Sequence, residues 1–315
     1  VDAVLVSTPA FLHPEHLEAA VDAGKHVYCE KPVAVDPAGA MQVRRAGRKA
    51  KGKVSLAVGF QIRHATPYVG MVERIKRGDI GEVTTVQAYY FAGSIPLKWR
   101  EDVSPDEARL RVWLWDRALS GDILVEQGIH VVDICNWTMG SNPLRATAYG
   151  GRKGRDDRGD VWSHYTVNYL YPNDVHVCFH STQFDPGYGD VCVRFFGPKG
   201  IAEAHYTGGV FIKGQNAWDS GVARGTAESI SKEQWAAGTF KSALEDADPN
   251  KQKAFIESIK SGKLINEADA GADTALAAIL GRTAAYLNRE VAWEEVANSD
   301  NRMDPRLDLT WFDKR

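Results

Sequence analysis

The sequence predicts a two-part α/β fold. A doubly wound parallel sheet comes first, and an α/β domain with a predominantly antiparallel open sheet follows. Two patterns carry this prediction. Up to about residue 62, short apolar runs alternate with amphipathic stretches, the strand–helix–strand grammar of βαβ units. Beyond that point strand-like segments follow one another through turn residues, the grammar of an antiparallel sheet. A chain of 315 residues can bury two ordinary cores, here expected over 1–62 and 63–315.

Val1–Val6 reads as a buried strand that ends in the turn Ser7-Thr8-Pro9. A helix from about His13 to Ala23 carries Leu17, Ala20 and Val21 at helical spacing and closes at Gly24. The strand His26–Cys29 then runs into Glu30-Lys31-Pro32. Asp36 caps a helix led by Pro37 that reaches about Ala50, and Val54–Phe60 forms the third strand. A helix near 67–77 leads to the alternating strand Val83–Phe91, then to a tryptophan-bearing loop and a helix over Gly121–Met139. Strands are expected near 145–150, 162–171, 175–182, 191–197, 200–205 and 210–213, joined as hairpins at Pro172-Asn173-Asp174 and Gly197–Gly200. Residues 214–250 read as irregular and polar. Helices follow at 251–261 and 268–288, and the second packs back towards the first domain. Large apolar residues in 162–171 and 191–196 fall on both strand faces, as expected of a sheet covered by a partner subunit.

Composition excludes several classes of function. A formal net charge of -3 gives no electrostatic case for nucleic acid or an anionic membrane. No apolar run approaches the roughly 18–20 residues of a membrane span. Cys29, Cys135, Cys178 and Cys192 are widely spaced without a CxxC pair, which fits reduced thiols and a cytoplasmic setting.

A dinucleotide domain opens strand–GxGxxG–helix, and no GxGxxG occurs in this sequence. Three parallel strands where a doubly wound sheet has about six imply a partial Rossmann domain. Its start is expected about 60–75 residues upstream, two βαβ units away.

Chemistry is concentrated in two segments. In the first, Glu30 and Lys31 leave the carboxyl end of a central strand, where doubly wound sheets bind ligands. A carboxylate there can accept ribose hydroxyls and an ammonium can meet a reacting oxygen. The same pair would also suit a surface ion pair before a turn proline. In the second, Glu126, His130 and Asp133 fall at i, i+4 and i+7 of one helix among apolar neighbours, an arrangement suited to proton transfer or to a structural histidine. A metal at these three residues is not expected, because no second cluster of ligands lies at suitable spacing; His176 and His180 share one face of a strand and point to solvent.

"STP" followed by "AGKHVYCEKP" resembles the cofactor-site signature of the glucose–fructose oxidoreductase / inositol 2-dehydrogenase-like (Gfo/Idh/MocA) family, and the likeness extends over nearly the whole chain to the tail "LGRTAAYLNREVAWEEV", which looks like a bacterial branch of it. The resemblance implies NAD or NADP as cofactor, with Ser7, Thr8, Pro9, His13, Glu30, Lys31 and Gln61 in its site. It implies Lys31, His130 and Glu126 as the catalytic set: His130 as base, Lys31 on the developing alkoxide, and Glu126 orienting His130 or holding substrate. Two departures stand out, Ser120 for a glycine and Glu126 for an aspartate. Arg63 would reach the substrate by the same likeness; Trp99, Trp113 and Trp115 suit either a sugar-stacking wall or a loop locked against a partner subunit, and Tyr165 and Tyr188 are further substrate-site candidates.

The expected function is hydride transfer between a nicotinamide and a hydroxyl or keto carbon of a sugar, sugar derivative or cyclitol. The alternatives are an NAD-dependent glycoside hydrolase acting by transient oxidation and elimination, and a non-catalytic binding or regulatory protein on the same fold. The resemblance also implies a homodimer or homotetramer formed through the antiparallel sheet.

Overall fold

The structure, a computed structural model, describes residues 1–184, 189–224, 243–308 and 310. Strands β1 (Ala3–Val6), β2 (His26–Cys29) and β3 (Leu56–Val58) form a parallel sheet in that order. Sequential order and parallel sense bring three chain segments to one edge: 7–9, 30–32 and 59–61. The third strand is shorter than its apolar run, because the Phe60 amide bonds the Val58 carbonyl at 2.7 Å and turns the chain. Helix α1 (His13–Asp22) buries Leu17, Ala20 and Val21, and α2 (Pro37–Ala50) is capped by Asp36, whose carboxylate accepts from the Gly39 amide at 2.7 Å.

The second sheet has nine strands: β4 (Thr85–Ala92), β5 (Arg145–Gly151), β6 (His164–Tyr171), β7 (Val175–Gln183), β8 (Asp190–Gly197), β9 (Gly200–His205), β10 (Phe211–Gly214), β11 (Trp218–Asp219) and β12 (Val291–Ala292). Among the described residues its order is β11-β10-β9-β8-β4-β7-β6-β5-β12, and only β4 and β7 run parallel there. The strands alternate more cleanly than expected. Tyr165, Val167, Tyr169 and Tyr171 are buried on one face of β6, while His164, Thr166, Asn168 and Leu170 stay partly or fully exposed on the other. The expectation of large apolar side chains on both faces is therefore corrected for β6: one face meets the helices and the other is mixed.

Helix α3 (Thr66–Lys76) precedes β4, and α4 (Pro105–Arg111) and α5 (Arg117–Ser120) follow it. The single helix expected over 121–139 is broken. Gly121 and Asp122 both take left-handed backbone angles (φ 84 and 76), a π-helical turn covers Leu124–Gly128, and the α-helix proper, α6, runs Ile129–Met139. The break is built in. The buried Arg282 donates to the carbonyls of Val35 and Gly121 at 2.9 and 2.7 Å, while Asp122 accepts from the Ile123 and Trp162 amides and the Tyr286 hydroxyl. No side chain but glycine's turns left-handed at Gly121 without cost.

Helix α7 (Ala247–Ser261) packs beside the Gln61–His64 turn, and α8 (Ala268–Leu287) lies between the two sheets. The alanine-rich composition of α8 permits this position. At one end Ala268 presses on α2 so closely that any side chain at Gly47 would overlap it, and at the other Gly281 meets the Tyr169 hydroxyl of β6. A short helix, α9 (Trp293–Ala297), follows β12. Among the described residues no helix is long and apolar enough to cross a membrane.

Candidate active site

The carboxyl edge of the parallel sheet supplies one wall. Leaving β2, Lys31 sends its ammonium to Glu126, 2.7 Å from the carboxylate Oε1 and 2.7 Å from the same residue's backbone carbonyl. The π-helical turn explains how one residue offers both acceptors, since a widened turn breaks the ordinary i to i+4 ladder. Both partners are largely buried, with side chains 16% and 12% exposed, so the ion pair is shielded from water.

Four residues further on, His130 is buried and its Nδ1 has no hydrogen-bond partner. Its ring lies against Tyr90, 6.4 Å away at 19°, and Tyr206, 6.4 Å away at 74°. Burial pushes its pKa well below the usual value, and the charges of Lys31 and Lys251 push it the same way. The imidazole is therefore neutral near pH 7, with a free nitrogen. That is the state a proton acceptor requires.

Two expected relationships change at this point. Glu126 does not orient His130: its carboxylate is committed to Lys31, because the π-helical turn rotates it away from the α-helical i, i+4 face. Asp133 does not share that face in function either. It takes two hydrogen bonds of 2.8 Å from Arg63 and one of 2.9 Å from Thr274. Arg63, expected on substrate, is thus held as a strut between the end of the first sheet and α6.

Glu30 is the most open acidic group of this edge, its side chain 38% exposed. The Tyr28 hydroxyl reaches it at 3.3 Å, and a Cβ at Gly59 would overlap its Oε2, so glycine after β3 leaves the carboxylate this position. Lys251 of α7 lies 3.8 Å from Glu30, 3.0 Å from Asp248 and 5.3 Å over the Tyr28 ring. Sequence reasoning missed Lys251, since nothing in its spacing links it to a carboxylate some 220 positions earlier. The Tyr90 and Tyr206 rings were missed too, although the alternation of β4 already puts Tyr90 on the buried face with Val86 and Ala88.

His13 was expected beside a cofactor. It is buried instead, with Nδ1 2.7 Å from the Pro32 carbonyl and Nε2 2.7 Å from the Thr8 carbonyl. A neutral ring donates only one of these bonds, and burial lowers its pKa. His13 therefore braces the 7–9 and 30–32 segments against each other from behind. Ser7, Thr8 and Pro9 remain at least partly exposed at the edge, as does Gln61 at the end of β3.

The expected aromatic wall separates. Tyr165 is 1% exposed and stacks on Trp162, 5.2 Å away, inside the core, where it cannot touch a ligand. Trp99 lies under the Arg158 guanidinium at 5.5 Å, and the Trp115 carbonyl accepts from the amides of Asp160 and Val161. Trp113 and Trp115 share one short 3-10 turn and are half-buried. Tyr188 lies outside the described residues.

Three strand ends on one parallel edge, beside a helix that carries a neutral imidazole, define a Rossmann-type α/β protein whose candidate site lies in the angle between sheet edge and helix. The oxidoreductase family described as having an NAD-binding Rossmann fold matches residues 1–60, and the GFO/IDH/MocA C-terminal domain matches residues 68–203. The chain belongs to the GFO/IDH/MocA oxidoreductase family. It is 27% identical to myo-inositol 2-dehydrogenase of Thermotoga maritima over 94% of this chain and 81% of that protein. It is 29% identical to 1,5-anhydro-D-fructose reductase of Ensifer adhaerens over 50% of this chain and 44% of that one. The aldose-aldose oxidoreductase of Caulobacter crescentus, solved with glycerol, superposes with a TM-score of 0.66 at 25% identity, covering 93% of this chain and 79% of that one. Matches to five curated relatives span only 32% to 46% of those proteins' length.

Proposed function

We propose that the chain works in a nicotinamide-dependent oxidoreductase that moves a hydride between the cofactor and a hydroxyl or keto carbon of a sugar, sugar derivative or cyclitol. The observation that carries this reading is the neutral His130, one helical turn beyond the Glu126 that holds the Lys31 ammonium. The residues at the sheet edge fit NAD or NADP. Glu30 offers a half-exposed carboxylate to a ribose, Gly59 leaves it room, and Ser7, Thr8, Pro9 and Gln61 line the neighbouring strand ends. A bound nicotinamide supplies the acceptor or donor of the hydride. His130 takes the hydroxyl proton on its neutral imidazole. The Lys31 ammonium, fixed by two acceptors, donates to the substrate oxygen as negative charge develops on it. Glu126 is a positioning residue that acts through Lys31.

On the same reading the substrate is a small polyol, the four thiols stay reduced in the cytoplasm, and copies of the chain pair through the mixed face of the large sheet. A panel of cyclitols and sugars with NAD and NADP, followed by the reduced-nicotinamide absorbance, tests the central claim. His130→Asn should lower kcat by about 10²–10⁴-fold. Wild-type turnover by that variant or by Lys31→Ala would sink it.

A further inference from the structure

A second constellation lies on the opposite face of the large sheet, apart from the cleft. In the β8–β9 ladder Cys192 sits directly opposite His205, and Glu203 lies two residues before His205 on the same face. Strand alternation turns the next residue, Tyr206, to the other side, against His130. The ligand atoms of Cys192, Glu203 and His205 lie within 4.8 Å of one another. His205 Nε2 is 3.5 Å from the Cys192 sulfur and 2.7 Å from Glu203 Oε1. Its other nitrogen, Nδ1, is 2.9 Å from the buried Asp190 carboxylate.

We infer that these three residues form a zinc site, with Asp190 orienting the histidine. Zn–S and Zn–N bonds of about 2.3 and 2.0 Å at a tetrahedral angle hold sulfur and nitrogen about 3.5 Å apart, the separation already present between Cys192 and His205. The shorter His205–Glu203 contact would open by roughly half an ångström to admit the ion. One thiolate, one imidazole and one carboxylate form the mixed S, N, O donor set that suits zinc rather than magnesium or calcium. The Asp190–His205 pair reproduces the carboxylate–histidine–metal arrangement, in which the outer nitrogen donates to a carboxylate and the inner one faces the metal. Cys192 and His205 are each 1% exposed and sit on paired strands, so the ligands are held before any ion arrives.

Two cations border the site. Arg194 pairs with Glu203, and Arg224 donates to Asp190 at 3.2 Å. The Tyr89 hydroxyl reaches Asp190 at 3.4 Å. Binding replaces the Cys192 thiol proton and the proton shared by His205 and Glu203; both go to water and no electron moves. A water completes the coordination. In the metal-free chain His205 bridges the two carboxylates as an imidazolium, which is the rival reading.

Chelator-treated chain titrated with Zn²⁺, and separately with Co²⁺ as a spectroscopic substitute, decides between them. One zinc per chain by elemental analysis and a thiolate-to-cobalt charge-transfer band are expected. Cys192→Ser should abolish that band, Cys178→Ser should leave it intact, and Asp190→Asn should keep it while weakening zinc binding by about 10–100-fold. Circular dichroism shows whether each variant is folded. Absence of the band in the unaltered chain, or Cys192→Ser binding zinc as tightly as the unaltered chain, would overturn the assignment in favour of the imidazolium bridge.

Discussion

Replacing Arg63 by alanine separates two roles that the sequence leaves open. If the guanidinium met substrate, its loss would raise KM and leave stability alone. The structure demands the reverse. Asp133 is 1% exposed, and two of its three hydrogen bonds come from Arg63. Removing one partner of a fully buried pair costs about 3–5 kcal/mol, because the other charge is left stranded. The Arg63 side chain is 24% exposed, so water can partly replace it, and about 2–4 kcal/mol is expected. For a chain of 315 residues that lowers the melting midpoint by roughly 3–6 °C. Arg63→Met with Asp133→Asn removes both charges together and should recover at least half of the loss. Thermal unfolding followed by circular dichroism measures both variants. An Arg63→Ala protein that melts within about 1 °C of wild type while its KM rises would refute the strut.

Two further outcomes follow from the cleft. His130 titrates below its ordinary value of about 6.5 in the folded chain, so the unfolded chain binds its proton more readily. Stability should fall as pH drops below about 6.5, a loss that His130→Asn removes, and the acid limb of kcat/KM should lie below that pH as well; an acid limb above it would contradict the buried base. Lys251→Ala frees Glu30 from its cationic neighbour and should weaken cofactor binding by about three- to tenfold with kcat little changed, the charge effect being modest beside a half-exposed carboxylate. Lys251→Arg should restore part of it, and a titration of cofactor fluorescence showing equal affinity for all three proteins would argue against the positioning role.

Much of the architecture was legible because burial writes itself into local periodicity. The parallel strands, the Asp36 cap and the hairpin turns all depend on neighbours within a few residues. Of the candidate site, the sequence made legible the placement of Thr8, Glu30 and Lys31 at strand ends of one parallel edge. What failed were inferences that assumed regular helix geometry or inferred a role from residue type. A continuous 3.6-residue pattern hides the left-handed pair Gly121-Asp122 and the π-helical turn, so the option of Glu126 orienting His130 rested on a helix face that the structure does not build. Arg63 and Tyr165 carry chemistry suited to ligands, but contacts more than 40 residues away in sequence commit them to the interior. Lys251 and the Cys192–His205 face depend on strand and helix placement that spacing does not encode.

The close seating of α8 bears on how the cleft can work. One long helix meets α2 at Gly47 and β6 at its own Gly281 with no room for a side chain at either glycine, so rocking of one half on the other has to break those contacts. Under the proposed function, a change of selectivity should be sought by reshaping the segments at the rim of the site while that seating is left untouched.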